Sequence, residues 1–207
     1  MRSLKMIAAL AASATLACAA PAFAVTTFTT NFDSMSFGTG PGFTTLSSYE
    51  GWTGGAHGIE VQYNNVAGKA FSGANLVELD TSANSSMSRL IDAGSYILRY
   101  WYSDRPGVPA SSNGIAVLLN GVQSFASIGG NGDEQTDWRR QTFAFNVSAP
   151  TTLTFAALGT SDSRGGYIDS VSLSAVPEPA SWAMMIAGFG MMGFALRNRV
   201  NAKVAYA

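Results

Sequence analysis

The stretch WRRQTFAFNVSAPTTLTFAAL, residues 138–158, decides the fold class. Phe143 and Phe145 alternate with polar or small residues, and beyond the break at Pro150 Leu153 and Phe155 do the same. A side-chain period of two sends successive residues to opposite faces, so each run reads as a strand buried on one side. Working outward, similar runs occupy residues 25–32, 58–63, 75–80, 95–102 and 115–119. A looser run, with Ile168, Val171 and Leu173, spans 167–173. Gly, Asn, Asp or Pro stands between nearly every pair, which is turn chemistry. About eight or nine strands with no convincing helical period predict an all-β domain, an antiparallel jelly-roll-like β-sandwich over 25–175. Residues 33–57 and 103–113 read as longer loops, where function would lie.

Composition narrows the options further. The 207 residues suit one domain with appendages. Only 12% are charged and 22 are Gly, which excludes a long helical bundle or a coiled coil. Residues 25–175 hold seven Lys and Arg against twelve Asp and Glu, a net of −5, so the domain lacks the basic footprint of a nucleic-acid binder. One Cys and one His argue against zinc clusters and haem attachment.

Both ends read as processing segments. Arg2 and Lys5 precede the uncharged apolar run 6–20, and Ala22-Phe23-Ala24 supplies a small-x-small site. Residues 1–24 are therefore expected to be a signal peptide removed by signal peptidase, with Val25 leading the mature chain. Cys18, the single cysteine, leaves with it, so stability must come from packing.

At the other end, Pro177-Glu178-Pro179 and Trp182 lead into the uncharged segment 180–196, followed by Arg197 and Arg199. As a helix this segment is about 26 Å long, which predicts a short transmembrane span with Trp182 at one interface and the arginines in the cytoplasm. Residues 200–207 would then form a short cytoplasmic tail. Over about 176–199 these residues closely resemble the PEP-CTERM sorting signal in its PEPxxWA form, which also goes by the label of an ice-binding-protein C-terminal domain. The resemblance implies export across the inner membrane and recognition of Pro177, Glu178 and Pro179 by an exosortase. It also implies retention by Arg197 and Arg199 until the tail is removed, with the cell surface or extracellular matrix as destination. The basic cluster is thin and residues 200–207 follow it, both departures from the family pattern.

The core resembles the galactose-binding-like jelly rolls, which include many carbohydrate-binding modules. The matching pieces are Asn31-Phe32-Asp33, Gly51-Trp52, Ile59-Glu60-Val61, Ala93-Gly94-Ser95-Tyr96 and Tyr167-Ile168-Asp169-Ser170-Val171. This resemblance implies a structural calcium held near the first and last strands, at Asp33 and Asp169, and sugar binding through exposed aromatics.

The ionisable inventory is too sparse to select a catalytic site. His57 is the only histidine, and Gly159-Thr160-Ser161-Asp162-Ser163 fails the nucleophile-elbow pattern at its last position. Glu50, Glu60, Glu78 and Asp80 can be combined into carboxylate pairs for glycoside hydrolysis, but nothing chooses among them. Glu78 and Asp80 share one strand face, which reads as solvated. The loop 129–134, Gly-Gly-Asn-Gly-Asp-Glu, resembles one copy of a Gly-rich calcium-binding repeat, and such repeats work in stacks. Trp52, Trp101, Tyr102 and Trp138 are the rings available to stack on sugars, with Arg105 as a hydrogen-bond donor. The resulting expectation is a non-enzymatic surface or matrix protein with an exopolysaccharide as ligand. The alternatives are a secreted polysaccharide-active hydrolase and a purely structural biofilm component.

Overall fold

The computed structural model describes residues 25–177 and 179–199. The expected signal peptide with its expected site at Ala22 and Ala24, Glu178 of the sorting motif, and residues 200–207 lie outside the described residues. Thirteen strands and one helix follow in order: β1 (Phe28–Thr30), β2 (Gly42–Leu46), β3 (Ser48–Tyr49), β4 (Trp52–Gly54), β5 (Ile59–Tyr63), β6 (Asn75–Glu78), β7 (Ser86–Ile91), β8 (Gly94–Ser103), β9 (Gly114–Leu119), β10 (Val122–Ser127), β11 (Arg139–Val147), β12 (Thr151–Leu158), β13 (Tyr167–Ala175) and α1 (Pro179–Arg199).

The strands form two antiparallel sheets. One runs β2-β5-β6-β13-β8-β11, with β1 beside β13, and the other runs β10-β9-β12-β7-β4-β3. Along one edge, β13 pairs first with β6, at Tyr167 and Ile168, and then with β1, from Val171 to Leu173. The change of neighbour coincides with an irregularity between Asp169 and Ser172, where Ser170 takes φ 47°. A bulge of this kind bends a strand and lets its two halves serve different partners.

The predicted alternation is realised in the core. Tyr96, Leu98, Tyr100 and Tyr102 of β8 and Ile168, Val171 and Leu173 of β13 are buried in one cluster with Leu153 and Phe155 of β12, Ile115 and Val117 of β9, and Met87 and Ile91 of β7. Trp52 has no exposed surface and meets Phe28 and Phe155 edge to face, each at 5.5 Å between centroids. Such aromatic pairs add roughly 0.5–1.5 kcal/mol beyond the area they bury.

Two expectations are corrected. The strand count among the described residues is thirteen, because the supposed loop 33–57 holds β2, β3 and β4, and because β7 and β10 also formed. Two of these strands are delivered by two-residue turns with both central φ positive: Glu50 and Gly51 (46° and 81°) between Tyr49 and Trp52, and Asn120 and Gly121 (49° and 79°) between Leu119 and Val122. That geometry matches the right-handed twist of a hairpin and favours Asn-Gly. The second correction concerns the span over 180–196. Trp182, Met184, Met185, Ile186, Phe189, Phe194 and Leu196 of α1 are all exposed, so its surface is apolar without a polar stripe. Yet no helix among the described residues is long and apolar enough to cross a membrane. Gly188, Gly190 and Gly193 dilute the segment, and the arginines at its end shorten it.

Trp52→Ala is expected to lose about 3–5 kcal/mol of stability, the cost of emptying a fully packed aromatic site. Trp52→Phe should cost clearly less, because it also deletes an indole N–H that has no hydrogen-bond partner. Urea midpoints followed by circular dichroism measure both, and equal midpoints for wild type and Trp52→Ala would contradict the packing.

Candidate functional site

The residues that alternate with the core positions of the seven-stranded sheet point to its outer face, and several of them are polar yet buried. Glu60 and Gln62 of β5, Glu78 of β6 and Tyr167 and Asp169 of β13 are all at most 8% exposed. Glu78 accepts from Arg105 Nη1 at 2.8 and 2.6 Å, from Gln62 Nε2 and from the Gly165 N–H. Gln62 Nε2 also donates to Glu60 at 2.9 Å, and Gln62 Oε1 accepts the Tyr167 hydroxyl at 3.0 Å. The solvated reading of Glu78 and Asp80 is therefore overturned, since both have no exposed surface. The alternation did place them outward; loops 104–110 and 159–166 then fold over that face. Burial pushes Glu78 up to about 8, against the pull of Arg105 and the Gly165 N–H. Burial likewise pushes Asp169 up to about 7, against hydrogen bonds from Ser72 and Ser170 and helped by the charge of Asp33.

Of the rings proposed for sugar contact, the structure brings two together and removes two. Trp101 lies half-buried on the outer face, stacked at 3.8 Å and 16° on Phe71 of the loop 64–74. Trp138 closes the group edge-on to Phe71 at 6.3 Å, with its indole N–H donating to Lys69 O at 2.9 Å. Phe71 is 41% exposed and escaped the sequence reading; its loop gives no periodic signal. Trp52 and Tyr102 are corrected. The first is core, and the second is buried with its hydroxyl on Asp104 (2.5 Å) and on Asn113 O (2.7 Å). Arg105 is also corrected, because its guanidinium is engaged by Glu78.

The metal candidates are largely taken by the chain's own donors. Asp33 Oδ1 accepts the Ala74 and Asn75 N–H groups, Asp169 Oδ2 accepts the Ser72 N–H, and Asp169 Oδ1 accepts the Ser170 N–H and hydroxyl. Three of the pair's four oxygens thus receive hydrogen bonds, which fits poorly with a calcium shell of six to eight oxygens. Among the described residues no three His, Cys, Asp or Glu gather as a metal group. The Gly-rich loop 129–134 packs on the loop 104–110 instead, with Gly132 N–H on Val108 O, Gly130 N–H on Asp104 and Asn131 Oδ1 on Ala110 N–H. Exposed His57 pairs with Ser82 Oγ at 3.3 Å, and Glu50 clamps Thr30, Phe32 and Ser34 to the β3–β4 turn. Neither arrangement couples a nucleophile to a base and a third, orienting group.

Of the sorting residues, Pro177 is exposed just after β13, Pro179 opens α1, Trp182 is 56% exposed within it, and Arg197 and Arg199 stand in its last turn.

The raised carboxyls have a consequence for stability. A group whose folded pKa exceeds its unfolded one keeps a proton in the native state that the unfolded chain has already lost, so stability falls as pH rises between the two values. The window runs from about 4 to about 7 for Asp169 and from about 4.5 to about 8 for Glu78. Chelator-treated protein should therefore be less stable at pH 8 than at pH 5, with a slope approaching about 1.4 kcal/mol per pH unit for each group. Asp169→Asn should flatten the lower part of that slope. A urea midpoint that rises from pH 5 to pH 8 would contradict the assignment.

Comparison with known proteins bears on the sandwich fold and on the C-terminal motif. No match is found among curated proteins. The fold is shared with a Stig cyclase, Fisc, from Fischerella sp. TAU in complex with (3Z)-3-(1-methyl-2-pyrrolidinylidene)-3H-indole, at 16% identity over 71% of this chain and 94% of that one, TM-score 0.53. It is also shared with the K2 cleaved adhesin domain of Lys-gingipain, at 16% identity over 72% and 98%, TM-score 0.52. A family 35 carbohydrate-binding module from Clostridium thermocellum is more distant, at 15% identity over 67% and 100%, TM-score 0.43. Such identities speak to fold alone. The PEP-CTERM protein-sorting motif, by contrast, matches residues 175–200. The chain thus carries a PEP-CTERM sorting motif at residues 175–200, which implies export and sorting by an exosortase toward the cell surface.

Proposed function

We propose that this protein is a non-enzymatic surface protein whose sandwich binds polysaccharide through the outer-face group of Phe71, Trp101 and Trp138. The observation that carries the reading is the Phe71 ring, 41% exposed and supported from beneath by Trp101 at 3.8 Å. A ring held in this way offers its apolar face to the C–H surface of a sugar, and its stacking fixes it before the ligand arrives. Arg140 is exposed and is the cross-strand partner of Trp101, and Thr142 is that of Arg99. Partners across a ladder share a face, so these residues place donors beside the rings. A hydrolase reading has a weaker basis. Glu60 and Glu78 hydrogen-bond to the same amide, but Glu78 has no exposed surface and its oxygens are engaged by Arg105 and Gly165. The apolar surface of α1 serves as the membrane-facing part of the sorting signal, holding the exported chain at the inner membrane until an exosortase acts on Pro177, Glu178 and Pro179.

Two experiments test this. Phe71→Ala and Trp101→Ala should each weaken retention in polysaccharide affinity electrophoresis by about tenfold, as about 1.4 kcal/mol of lost contact requires, while circular dichroism is unchanged. Unaltered retention in the double variant would refute the platform. Replacing Pro177, Glu178 and Pro179 by alanine should leave full-length protein in the membrane fraction of cells that carry the exosortase. Normal processing of that variant would refute recognition of the motif.

A further inference from the structure

Among the described residues, three buried side-chain nitrogen or oxygen atoms have no hydrogen-bond partner: Trp52 Nε1, Asp80 Oδ1 and Asn84 Oδ1. The last two belong to residues that face each other across an isolated antiparallel bridge just beyond β6. Bridge partners project to the same side, with Cβ atoms about 4.5–5.5 Å apart. Asp80 has no exposed surface and takes no part in an ion pair among the described residues. Its Oδ2 accepts the Asp162 and Arg164 N–H groups at 3.0 and 3.1 Å. The orientation of the Asn84 amide is also determined, because Nδ2 donates to Gly159 O at 3.0 Å and so turns Oδ1 away from that carbonyl. Both residues are fastened to one loop, 159–164, through these bonds and through Asn84 N–H on Ser161 Oγ. Two bare acceptors, one of them on a carboxylate, thus belong to bridge partners that project to the same side, and both lie out of water without a donor.

A buried carboxylate is tolerated when it is paired, when it binds a metal or when it is protonated. We propose that Asp80 Oδ1 and Asn84 Oδ1 ligate a calcium ion, with the remainder of its oxygen shell drawn from water and from the loop 159–164. Carboxylate and amide oxygens from an irregular loop suit a hard cation that accepts flexible coordination, and modules that work outside the cell bind calcium at 10⁻⁴–10⁻³ M. This place differs from the Asp33 and Asp169 pair, whose oxygens are mostly engaged. Its occupancy would fasten the loop that also supplies the Gly165 N–H to Glu78 and Ser163 O to Arg105. It does not depend on the sugar-binding reading.

The full-length protein, purified in mild detergent and stripped with chelator, is titrated with calcium chloride by calorimetry, and its thermal unfolding is followed with calcium or magnesium added. Calcium should bind and raise the melting temperature, since a ligand held only by the native state adds stability. Asp80→Asn and Asn84→Ala should each weaken binding by roughly 10–100-fold. The variant Asp33→Asn with Asp169→Asn should keep it. The proposal is overturned if wild type neither binds calcium nor gains stability from it. It is overturned equally if the double variant loses the response while Asp80→Asn keeps it. A shared proton between the two oxygens predicts a third pattern, in which Asp80→Asn melts at least as high as wild type and calcium moves neither protein. That result also overturns it.

Discussion

Glu78 has no exposed surface, and a carboxylate removed from water has to be given donors. It draws them from three directions: Gln62 on the neighbouring strand, Arg105 from the loop after β8, and the Gly165 N–H from the segment before β13. A sandwich normally leaves its outer faces to solvent, and alternation along β5 and β6 makes these residues outward-facing. Here the donors bring their loops with them, and the loops cover the face. A second, smaller apolar cluster of Ala70, Leu76 and Tyr167, with Trp138 against it, forms beneath that cover. In a domain with so few charges, this one buried side chain and the donors it gathers organise a large part of the surface.

The same logic holds the loop 64–74. Asp33 takes the N–H groups of Ala74 and Asn75, Asp169 takes that of Ser72, and Lys69 O receives both Trp138 and Thr136. Phe71 is therefore presented from a segment pinned on each side of it. The carboxylates of Asp33 and Asp169 receive backbone N–H groups of this loop, and the outcome is a fixed ring. Rigid placement of an exposed aromatic is what separates a binding platform from an incidental surface phenylalanine.

Legibility followed strand position only in part, since the edge strand β11 alternates plainly while β4 and β7, paired on both sides, went unread. β8 and β12 pair on both sides and carry clear alternation, whereas β2, β3 and β10 lie at sheet edges and pair on one side only. An edge strand feels half the constraint, so Gly42–Leu46 and Val122–Ser127 show little pattern. Their strongest signal was in the turns: Asn120-Gly121 marks a hairpin where the strands beside it do not. The site was partly legible too. Trp101 and Trp138 were named from chemistry alone, but Phe71, their partner, comes from a loop 30 residues before Trp101, and no local pattern encodes that meeting. Trp52 was misplaced because Gly51-Trp52 reads as a loop, when the positive φ of Glu50 and Gly51 turns that tryptophan into the core.

The two apolar inventories of the chain are kept apart, and the boundary between them coincides with the sorting motif. The core clusters take no member from α1, and the large apolar side chains of α1 remain exposed. The last backbone bond of the sandwich runs from Val176 N–H to Ser95 O at 2.8 Å. Pro177 follows and has no N–H with which to extend the ladder. The sheet therefore ends where the tail begins, for a chemical reason located in the motif itself. Loss of everything after that proline would remove no residue of the core clusters, no member of the Glu78 network and no ring of the outer-face group. A tail that an exosortase processes needs that independence, and the proline at the junction supplies it.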